Sequence, residues 1–503
     1  MTLYILNHPY HYEMENLCRV FYPQEKIRLV RGIQSPPRGR GGWPGGPGGA
    51  LGGGKKHRII PQSPVVVTKI KNNQIAVRLY AGRRLSIERP AGDTPELTMA
   101  QMLFTLLRRH TGYQPPWGLL TGVRPSKLML RLRRDEGSDH ALRYFQDTLW
   151  VSEEKTRLAA AVAAAEEPVL ARTGPRAFSL YISIPFCPSR CSYCSFVSHT
   201  VERASAQRLI PAYVDKLCEE IAFTGQIAGE LGLELASAYV GGGTPTILSA
   251  AQLTWLCGGL RAAFDWSGCG EFTVEAGRPD TLTEEKLETL ARRSVTRLSI
   301  NPQSMHDHIL ERAGRCHTAA QIVDCYALAR QTGVWGINMD LIAGLAGDTP
   351  EGFAQSLEQV IALGPENITV HTLALKRSAH LREAYGAEEC AAMLRIADKL
   401  LPAAGYAPYY MYRQSRSLGN LENIGWSLPG HHCRYNIDMM EESHTILACG
   451  AGSVTKLKAY GADYLERVFS LKYPYEYLAR FEDLLERKAR IKTFYETYNN
   501  ERL

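Results

Sequence analysis

Residues 178–194 read Phe-Ser-Leu-Tyr-Ile-Ser-Ile-Pro-Phe-Cys-Pro-Ser-Arg-Cys-Ser-Tyr-Cys, so an apolar run leads directly into three closely spaced cysteines. The apolar run is typical of a buried strand, and five further strand candidates follow it, separated by amphipathic helical stretches. They begin near Ser237, Glu271, Arg297, Gly336 and Asn367. Strands that alternate with helices predict a parallel sheet, so these six units predict an α/β protein with a partial (β/α)6 TIM-like barrel.

The three cysteines, Cys187, Cys191 and Cys194, follow the end of the first strand within eight residues. A structural zinc site uses four ligands, usually as two spaced pairs, and the sequence contains no second pair. Iron–sulfur clusters normally bind four cysteines, so three thiolates suit a 4Fe-4S cluster with one iron left open for another ligand. The alternative is three unpaired thiols in a loop. We therefore predict an iron–sulfur cluster.

The composition indicates an ordinary globular protein. The chain has 503 residues, 45% hydrophobic and 22% charged, which is enough for two or three domains. Its 12 cysteines are too few and too scattered for a disulfide scaffold. Because we find no run of about eighteen apolar residues and no signal peptide, we expect a cytoplasmic protein without a membrane span. The net charge of +7 suits an acidic small molecule as well as nucleic acid.

The first predicted domain is an accessory domain of mixed α and β structure, at residues 1–170. Short alternating runs in residues 1–90 predict strands, with a hairpin turn at Lys71-Asn72-Asn73. Residues 95–172 change to helical spacing. A boundary therefore follows near residue 170.

Two further segments complete the predicted organisation. Residues 36–54 are dominated by Gly and Pro, which cannot build a core, so we interpret them as a flexible insertion in the first domain. A glycine–arginine tract that contacts nucleic acid is the alternative. After the boundary, we expect the barrel at 175–380 and a C-terminal extension that covers the substrate at 381–503.

Polar residues lie at the carboxyl edge of the predicted sheet, where barrels of this kind place their chemistry. Glycines at 241–243, after the second strand, let a bound group approach the backbone closely, although such turns are often structural. Glu275 ends the third strand and can accept hydrogen bonds from a ribose diol, or is simply solvated. Gln303 follows the fourth strand and can both donate and accept hydrogen bonds. Asp340 lies among apolar neighbours in the fifth, which is costly without a partner.

Two arginines, Arg312 and Arg315, follow in the next helical segment. A guanidinium can pair with a carboxylate through two hydrogen bonds, which makes Arg315 a candidate ligand for a bound acid. We interpret Arg312 as a surface charge.

Six segments carry a resemblance to a known family: YISIPFC, GGGTPT, VEAGRPD, RLSINPQS, AGRCHT and NMDLIAGL, over roughly residues 178–345. They resemble the radical S-adenosylmethionine superfamily, in particular the oxygen-independent coproporphyrinogen III dehydrogenase family and its relative, the haem chaperone. The resemblance implies that the open iron of the cluster chelates the amino and carboxylate groups of S-adenosylmethionine. An electron from the cluster then breaks a sulfur–carbon bond, and the resulting 5′-deoxyadenosyl radical abstracts hydrogen.

The resemblance also implies which residues surround one or two S-adenosylmethionine molecules. They are Tyr181, Tyr193, Gly242, Gly243, Thr244, Glu275, Gln303, Arg315 and Asp340. Tyr181 is in addition a candidate catalytic residue.

Segments outside the barrel favour one branch of the family. Those at 116–127, 409–414, 418–425, 429–437 and 447–453 resemble the HemZ-type coproporphyrinogen dehydrogenase. At Ser183 and Phe196 the best-known enzyme has a histidine and a fourth cysteine, and there the chain is closer to the haem chaperone. The HNxxYW-type segment of the chaperone is absent from the sequence.

The substrate that the resemblance implies is a flexible tetrapyrrole with four propionates, whose site needs aromatic walls and cations. His371 ends the sixth strand, and Lys376 and Arg377 follow it. Arg413 lies in a tyrosine-rich segment. Each cation could be a surface charge, but as a set they are candidates for binding propionates, and we count Lys376 and Arg377 as candidate catalytic residues.

His431, His432 and Cys433 are adjacent in the sequence and suggest a metal site. Adjacent residues rarely converge on one ion, so we interpret them as packing or substrate contacts.

The function implied is oxidative decarboxylation of coproporphyrinogen III to protoporphyrinogen IX in haem (porphyrin) biosynthesis, by an oxidoreductase that binds a 4Fe-4S cluster and S-adenosyl-L-methionine. The alternatives are haem carriage without decarboxylation, and a radical enzyme that acts on RNA. We expect a monomer that needs an electron donor for its cluster, with no nucleic-acid partner.

Overall fold

The computed structural model describes residues 1–23, 25–32, 63–196, 199–201, 204–375, 386–414 and 416–498. The insertion predicted at 36–54 and the candidates Lys376 and Arg377 lie outside the described residues. Contacts divide the chain into an N-terminal unit, Met1–Gly122 with Gly137–Arg157, and a barrel unit, Val123–Glu136 with Leu158–Leu503. The domain limits expected from the sequence, near 170 and 380, stay predictions.

The helices are α1 His11–Phe21, α2 Pro95–Thr111, α3 Pro125–Glu136, α4 Ser138–Arg143, α5 Glu153–Leu170, α6 Ala204–Gln207, α7 Leu209–Glu230, α8 Ala250–Ala263, α9 Glu284–Arg292, α10 Asp307–Arg312, α11 Ala319–Gln331, α12 Pro350–Leu363, α13 Ala387–Ala403, α14 Arg434–Glu441, α15 Pro474–Ala479 and α16 Phe481–Tyr498. Short turns of π- or 3₁₀-helix lie at Tyr144–Thr148, Pro245–Ile247, Pro279–Thr281 and Leu418–Asn420.

The N-terminal unit contains a five-stranded sheet in the order β2-β1-β3-β4-β5. Its strands are β1 Thr2–Leu6, β2 Arg28–Gly32, β3 Val65–Lys71, β4 Gln74–Ala81 and β5 Arg83–Pro90. The hairpin predicted from the sequence joins β3 to β4 through Asn72 and Asn73, whose φ angles of 48° and 57° are left-handed. Asparagine tolerates this conformation better than most residues, which is why the pair makes a tight hairpin.

The barrel unit contains an eleven-stranded sheet and a small two-stranded one, β7 with β8. The strands are β6 Ala177–Ile184, β7 Phe186–Cys187, β8 His199–Thr200, β9 Glu234–Gly242, β10 Glu271–Glu275, β11 Arg297–Ser299, β12 Gly336–Ala343, β13 Asn367–Thr372, β14 Ala407–Arg413, β15 Glu422–Ser427, β16 Thr445–Cys449, β17 Val454–Lys458 and β18 Leu465–Phe469. The order of the large sheet is β14-β15-β13-β12-β11-β10-β9-β6-β16-β17-β18.

The six predicted strands of the barrel are β6 and β9 to β13, which lie side by side in chain order and pair in parallel. Helices connect successive strands, as a parallel sheet requires. The predicted α/β fold with a partial barrel is therefore confirmed.

The C-terminal segment extends this sheet at both edges. β16 pairs in parallel with β6, so that Thr445 lies opposite Phe178, and adds a seventh parallel strand. β15 pairs antiparallel with β13, with Ser427 opposite Asn367. Part of the segment predicted as a cover for the substrate thus forms strands of the sheet, which was not predicted from the sequence, and the covering role stays a prediction.

A buried polar network ties the end of β16 to three helices, α7, α15 and α16. The Glu220 carboxylate of α7 accepts hydrogen bonds from the Gly450 N–H at 2.7 Å and the Tyr477 hydroxyl at 2.6 Å. Lys488 of α16 places its Nζ 3.0 Å from the other carboxylate oxygen, and both side chains are almost fully buried. A buried charge is tolerated only when it is paired and hydrogen-bonded, so this network fixes α7 and α16 against the end of β16.

Within the described ranges, no helix combines the length and apolar character that crossing a bilayer requires.

Replacement of Lys488 by methionine should strongly destabilise the barrel unit. The change leaves the Glu220 carboxylate buried without its cation, and loss of one partner of a buried pair costs about 3–5 kcal/mol. The measurement is the shift of the unfolding midpoint in urea.

The matched control is Lys492→Met, because Lys492 pairs with Glu230 at a half-exposed position on the same helix. Its effect should be much smaller, since exposed ion pairs contribute little. Equal shifts for the two variants would contradict the role given to the buried pair.

Candidate active site

The candidate residues converge on one cavity of about 360 Å³ at the carboxyl edge of the parallel strands, a volume typical of small-molecule sites. The predicted residues in its lining are Cys187, Cys191, Tyr193, Cys194, Gly242, Gly243, Thr244, Glu275, Gln303, Arg315 and Asp340. Tyr181 is not part of the lining; its ring stacks against those of Tyr239 and Tyr435, 6.3 Å from each centroid.

The cysteine loop, residues 187–196, is fixed by main-chain hydrogen bonds. The Ser192 N–H donates to the Ala313 carbonyl at 2.9 Å, and the Cys194 N–H donates to the Cys191 carbonyl at 3.2 Å, which closes a tight turn. All three thiols of the loop are partly exposed. Burial raises the pKa of the Cys194 thiol to about 11, so its thiolate needs the positive charge of a bound metal.

The chemistry of this donor set suits a cluster better than a single ion. Across the described part of the chain, no three His, Cys, Asp or Glu side chains converge as ligands of one metal ion. A four-iron cluster spaces its cysteine ligands more widely than a single ion does. Three thiols in the lining of one cavity therefore fit an iron–sulfur cluster, and the other lining residues are available to a further ligand.

The second candidate metal segment, His431-His432-Cys433, directs its side chains to different neighbours. The His431 ring stacks on Trp335 at 4.6 Å and the His432 ring stacks on Tyr409 at 5.1 Å. The Cys433 thiol is buried, 3.3 Å from a Glu271 carboxylate oxygen. These contacts correspond to the packing role expected from the sequence.

The glycine segment, residues 241–243 at the end of β9, packs directly on residues 184–186, which lead into the cysteine loop. A Cβ on Gly243 would lie 2.5 Å from the Phe186 carbonyl oxygen, so only glycine fits, and Gly242 has a φ of 111°. The Thr244 N–H donates to the same Phe186 carbonyl at 2.7 Å, and its hydroxyl donates to the Cys187 thiol at 3.5 Å. The N–H groups of Gly243 and Thr244 already donate to the main-chain carbonyls of Ile184 and Phe186. A ligand at this segment would therefore meet main-chain carbonyl oxygens, which are acceptors.

Glu275 closes β10 beside an aromatic wall. The Tyr239 hydroxyl donates to its carboxylate at 2.8 Å, and the Tyr239 and Tyr435 rings stack at 4.6 Å. Burial raises the pKa of Glu275 to about 7, against the hydrogen bond from Tyr239 and with a further contribution from Asp340. The carboxylate is therefore poised to change its charge near neutral pH.

Gln303 carries an unsatisfied acceptor in the cavity. Its φ is 70°, an uncommon value for a residue with a side chain, and its backbone pairs with the neighbouring strand through the Asp340 carbonyl, 2.8 Å away. The side chain is 8% exposed, and Oε1 has no hydrogen-bond partner among the described residues. A buried acceptor without a partner is costly and indicates a ligand that donates a hydrogen bond.

Asp340 has the partner that its burial requires. His371 Nε2 lies 3.5 Å from Asp340 Oδ2, and the Asn338 amide donates to Oδ1 at 2.7 Å. Burial disfavours the charged forms, but the pair of opposite charges raises the pKa of His371 and lowers that of Asp340. The Tyr412 hydroxyl lies 3.4 Å from His371 Nδ1. The cavity thus holds a His–Asp pair with a phenol beside it.

The arginines predicted from the sequence have different surroundings. Arg315 is buried and donates to main-chain carbonyls, those of Asn301, of Pro302 at 3.2 Å and of Gly277 at 2.7 Å. It also lines the cavity. Arg413 is 3% exposed and is not part of the lining, so the structure does not bring it to the other candidates.

Several residues of the lining were missed by the sequence analysis: Arg278, Tyr239, Tyr410, Tyr412, Gln414, Asn423 and Asn436. Arg278 follows Glu275 in the VEAGRPD segment, and its position after a strand end was a usable signal. The tyrosines of β14 lie in a segment that the sequence analysis used only for its resemblance to the family. The sequence of an edge strand does not indicate which cavity its side chains line.

Comparisons with known proteins agree with this geometry. Residues 181–360 match the model of the radical SAM superfamily. The chain is 36% identical over 414 residues to the oxygen-independent coproporphyrinogen-III oxidase-like protein HemZ of Bacillus subtilis, which is 80% of this chain and 82% of that protein. It is also 30% identical over 283 residues to the heme chaperone HemW of Escherichia coli, 55% of this chain and 70% of the chaperone.

Among solved structures, the coproporphyrinogen III oxidase HemN of Escherichia coli, a radical SAM enzyme, matches with a TM-score of 0.51. The match covers 64% of this chain and 73% of that structure at 22% identity, and supports the shared fold. The superfamily match and the extent of the similarity to HemZ lead to one assignment: the chain belongs to the HemN/HemZ-type family of the radical SAM superfamily, whose members use a 4Fe-4S cluster and S-adenosylmethionine.

Proposed function

We propose that this protein catalyses the oxygen-independent oxidative decarboxylation of coproporphyrinogen III to protoporphyrinogen IX. The observation that carries the proposal is a single cavity that joins the three thiols of the cysteine loop to the His371–Asp340 pair and to residues of β14 and β15. The similarity to HemZ supports it, because its 414 residues extend well beyond the 181–360 range of the superfamily core.

The residues for the cofactor are those that the cavity groups together. Cys187, Cys191 and Cys194 would hold the cluster, which with S-adenosylmethionine supplies a carbon-centred radical able to abstract hydrogen. Main-chain carbonyls of the glycine segment would accept hydrogen bonds from the amino group of the cofactor. Glu275 would accept from its ribose diol, and Gln303 Oε1, now without a partner, from a further donor.

The residues around His371 would receive a propionate of the substrate. Asp340 raises the pKa of His371 and so favours its cationic form, which can donate a hydrogen bond to a carboxylate. The Tyr412 hydroxyl is a second donor beside it. Tyr410 and Leu373 add aromatic and apolar walls for a pyrrole ring. Lys376 and Arg377 stay candidates for the remaining propionates.

The chain's contribution to the reaction is positioning and protection. Removal of a hydrogen atom from the β-carbon of a propionate, followed by loss of carbon dioxide and transfer of one electron to a one-electron acceptor, leaves a vinyl group. Two such reactions give the product. A buried site with fixed polar groups holds the propionate in one orientation and keeps water away from the reacting carbon.

The test is an anaerobic assay of the reconstituted protein with coproporphyrinogen III, S-adenosylmethionine and a reductant, followed by separation of the porphyrin products. The proposal requires vinyl products that accumulate with time. Cleavage of S-adenosylmethionine without any vinyl product would reject it.

Haem carriage is the second candidate, because heme chaperones are among the similar proteins and Phe196 of the cysteine loop is 68% exposed. It predicts stoichiometric binding of haem by the reconstituted protein and unchanged coproporphyrinogen III in the same assay. Haem titration followed by absorbance separates the two candidates.

Replacement of Cys187, Cys191 or Cys194 by alanine should abolish cleavage of S-adenosylmethionine, because two thiolates cannot hold the cluster with one open iron. Iron content and 5′-deoxyadenosine formation are the measurements. Cys218→Ala is the matched control, since Cys218 is a partly buried cysteine on α7. Cleavage retained at the wild-type rate by any loop variant would contradict the assignment of the ligands.

Binding of S-adenosylmethionine should weaken as the pH falls through 7. Burial raises the pKa of Glu275 to about 7, so its carboxylate, the form that accepts two hydrogen bonds from a diol, is lost below that pH. Asp340, His371 and Tyr239 face the same group and set this value. If only the ionised form binds, the dissociation constant rises up to about tenfold between pH 8 and pH 6.

The control for this prediction is a pair of variants measured by equilibrium binding. Glu275→Gln should bind weakly at every pH and lose the dependence, whereas Glu288→Gln, at an exposed position on α9, should keep it. A Glu275→Gln variant with the wild-type pH dependence would show that another group is responsible.

A further inference from the structure

Arg278 is a buried cation beside the cysteine loop, and the proposed function gives it no role. It follows β10, is 3% exposed and lines the cavity. A buried guanidinium is costly unless it is paired and fully hydrogen-bonded. The groups that pair with the Arg278 guanidinium therefore indicate its role.

One side of Arg278 is held by a carboxylate two residues further on. Its Nε donates to Asp280 Oδ1 at 2.9 Å and its Nη2 donates to Asp280 Oδ2 at 2.9 Å. This two-bond geometry fixes the plane of the guanidinium. Because the plane is fixed, the directions of the remaining N–H groups of Arg278 are fixed as well.

The remaining N–H groups of Arg278 contact the middle of the cysteine loop. Nη1 and Nη2 of Arg278 both donate to the Ser189 hydroxyl, at 3.2 and 3.1 Å. The same hydroxyl donates its hydrogen to the Gly314 carbonyl at 3.2 Å. Ser189 lies between Cys187 and Cys191, so Arg278 helps to set where the two thiols stand.

Arg278 also contacts a thiol directly. Its Nη1 lies 3.8 Å from Cys191 Sγ, within the range of an N–H···S hydrogen bond. Hydrogen bonds to ligand sulfurs and the net charge around a cluster both set its reduction potential. Reduction adds one negative charge, so a nearby cation and an N–H donor stabilise the reduced form more than the oxidised form.

We propose that Arg278 is a positioning residue that raises the reduction potential of the cluster, through its hydrogen bond to Cys191 and its charge, which Asp280 partly balances. The inference rests on the cluster assignment of the proposed function and not on the identity of the substrate. It holds equally for an enzyme and for a haem carrier.

The experiment is a redox titration of the reconstituted full-length protein, with the reduced cluster followed by electron paramagnetic resonance. Arg278→Gln removes the cation and leaves Asp280 unbalanced, so the midpoint potential should become more negative. We expect at least a tenfold change in the one-electron equilibrium constant, which corresponds to about 59 mV. Asp280→Asn removes the balancing charge and should shift the midpoint in the opposite direction.

The opposite signs distinguish this role from a purely structural one, which predicts no particular sign. Arg292→Gln is the matched control, because Arg292 is an exposed arginine on α9 in the same unit, and its midpoint should equal that of the wild type. Unchanged midpoints in Arg278→Gln and Asp280→Asn overturn the proposal, as do shifts in the same direction.

Iron content separates the remaining outcomes. If Arg278→Gln binds no iron, Asp280→Asn alone decides, and its midpoint must become more positive. Loss of iron from both variants overturns the tuning role and leaves Arg278 as a structural residue. Wild-type protein that binds no four-iron cluster contradicts the proposed function instead, so the two failures are distinguishable.

Discussion

The close contact between the end of β9 and residues 184–186, which lead into the cysteine loop, is the constraint on which the rest of the site depends. Two main-chain hydrogen bonds, from Gly243 to Ile184 and from Thr244 to Phe186, make this contact at 2.8 and 2.7 Å. They form only because Gly243 has no Cβ that would collide with the Phe186 carbonyl. Since β9 to β13 then follow in parallel, the groups at their carboxyl ends face the same cavity as the three thiols.

The carboxylates of Glu275 and Asp340 in the cavity each have a partner side chain. Glu275 is bonded to Tyr239, and Asp340 is paired with His371. These partners hold the polar groups in fixed orientations, which is the form of preorganisation that enzymes use in place of mobile solvent. Two buried polar atoms of the lining have no hydrogen-bond partner among the described residues: the acceptor Gln303 Oε1 and the donor Arg315 Nε. A site of this kind is prepared for a ligand that brings donors of its own.

The six strands of the barrel could be predicted because short strand segments alternate with amphipathic helical stretches along residues 178–372. The place of β16 in this sheet could not be predicted, since Thr445–Cys449 pairs with β6, which is far away in the sequence. The polar strand ends were found because position alone marks them. Their partners were missed where the contact crosses between elements, as in Tyr412 beside His371 and Arg278 beside Ser189. Lys376 and Arg377 stay predictions.

We propose that the three thiols of the cysteine loop hold a cluster whose open iron binds S-adenosylmethionine. The most direct measurement is the electron paramagnetic resonance spectrum of the reduced, reconstituted protein, recorded with and without S-adenosylmethionine, together with its iron content. We expect about four irons per chain and a cluster signal that changes when S-adenosylmethionine is added. A signal that the cofactor leaves unchanged, in protein with full iron content, would contradict it.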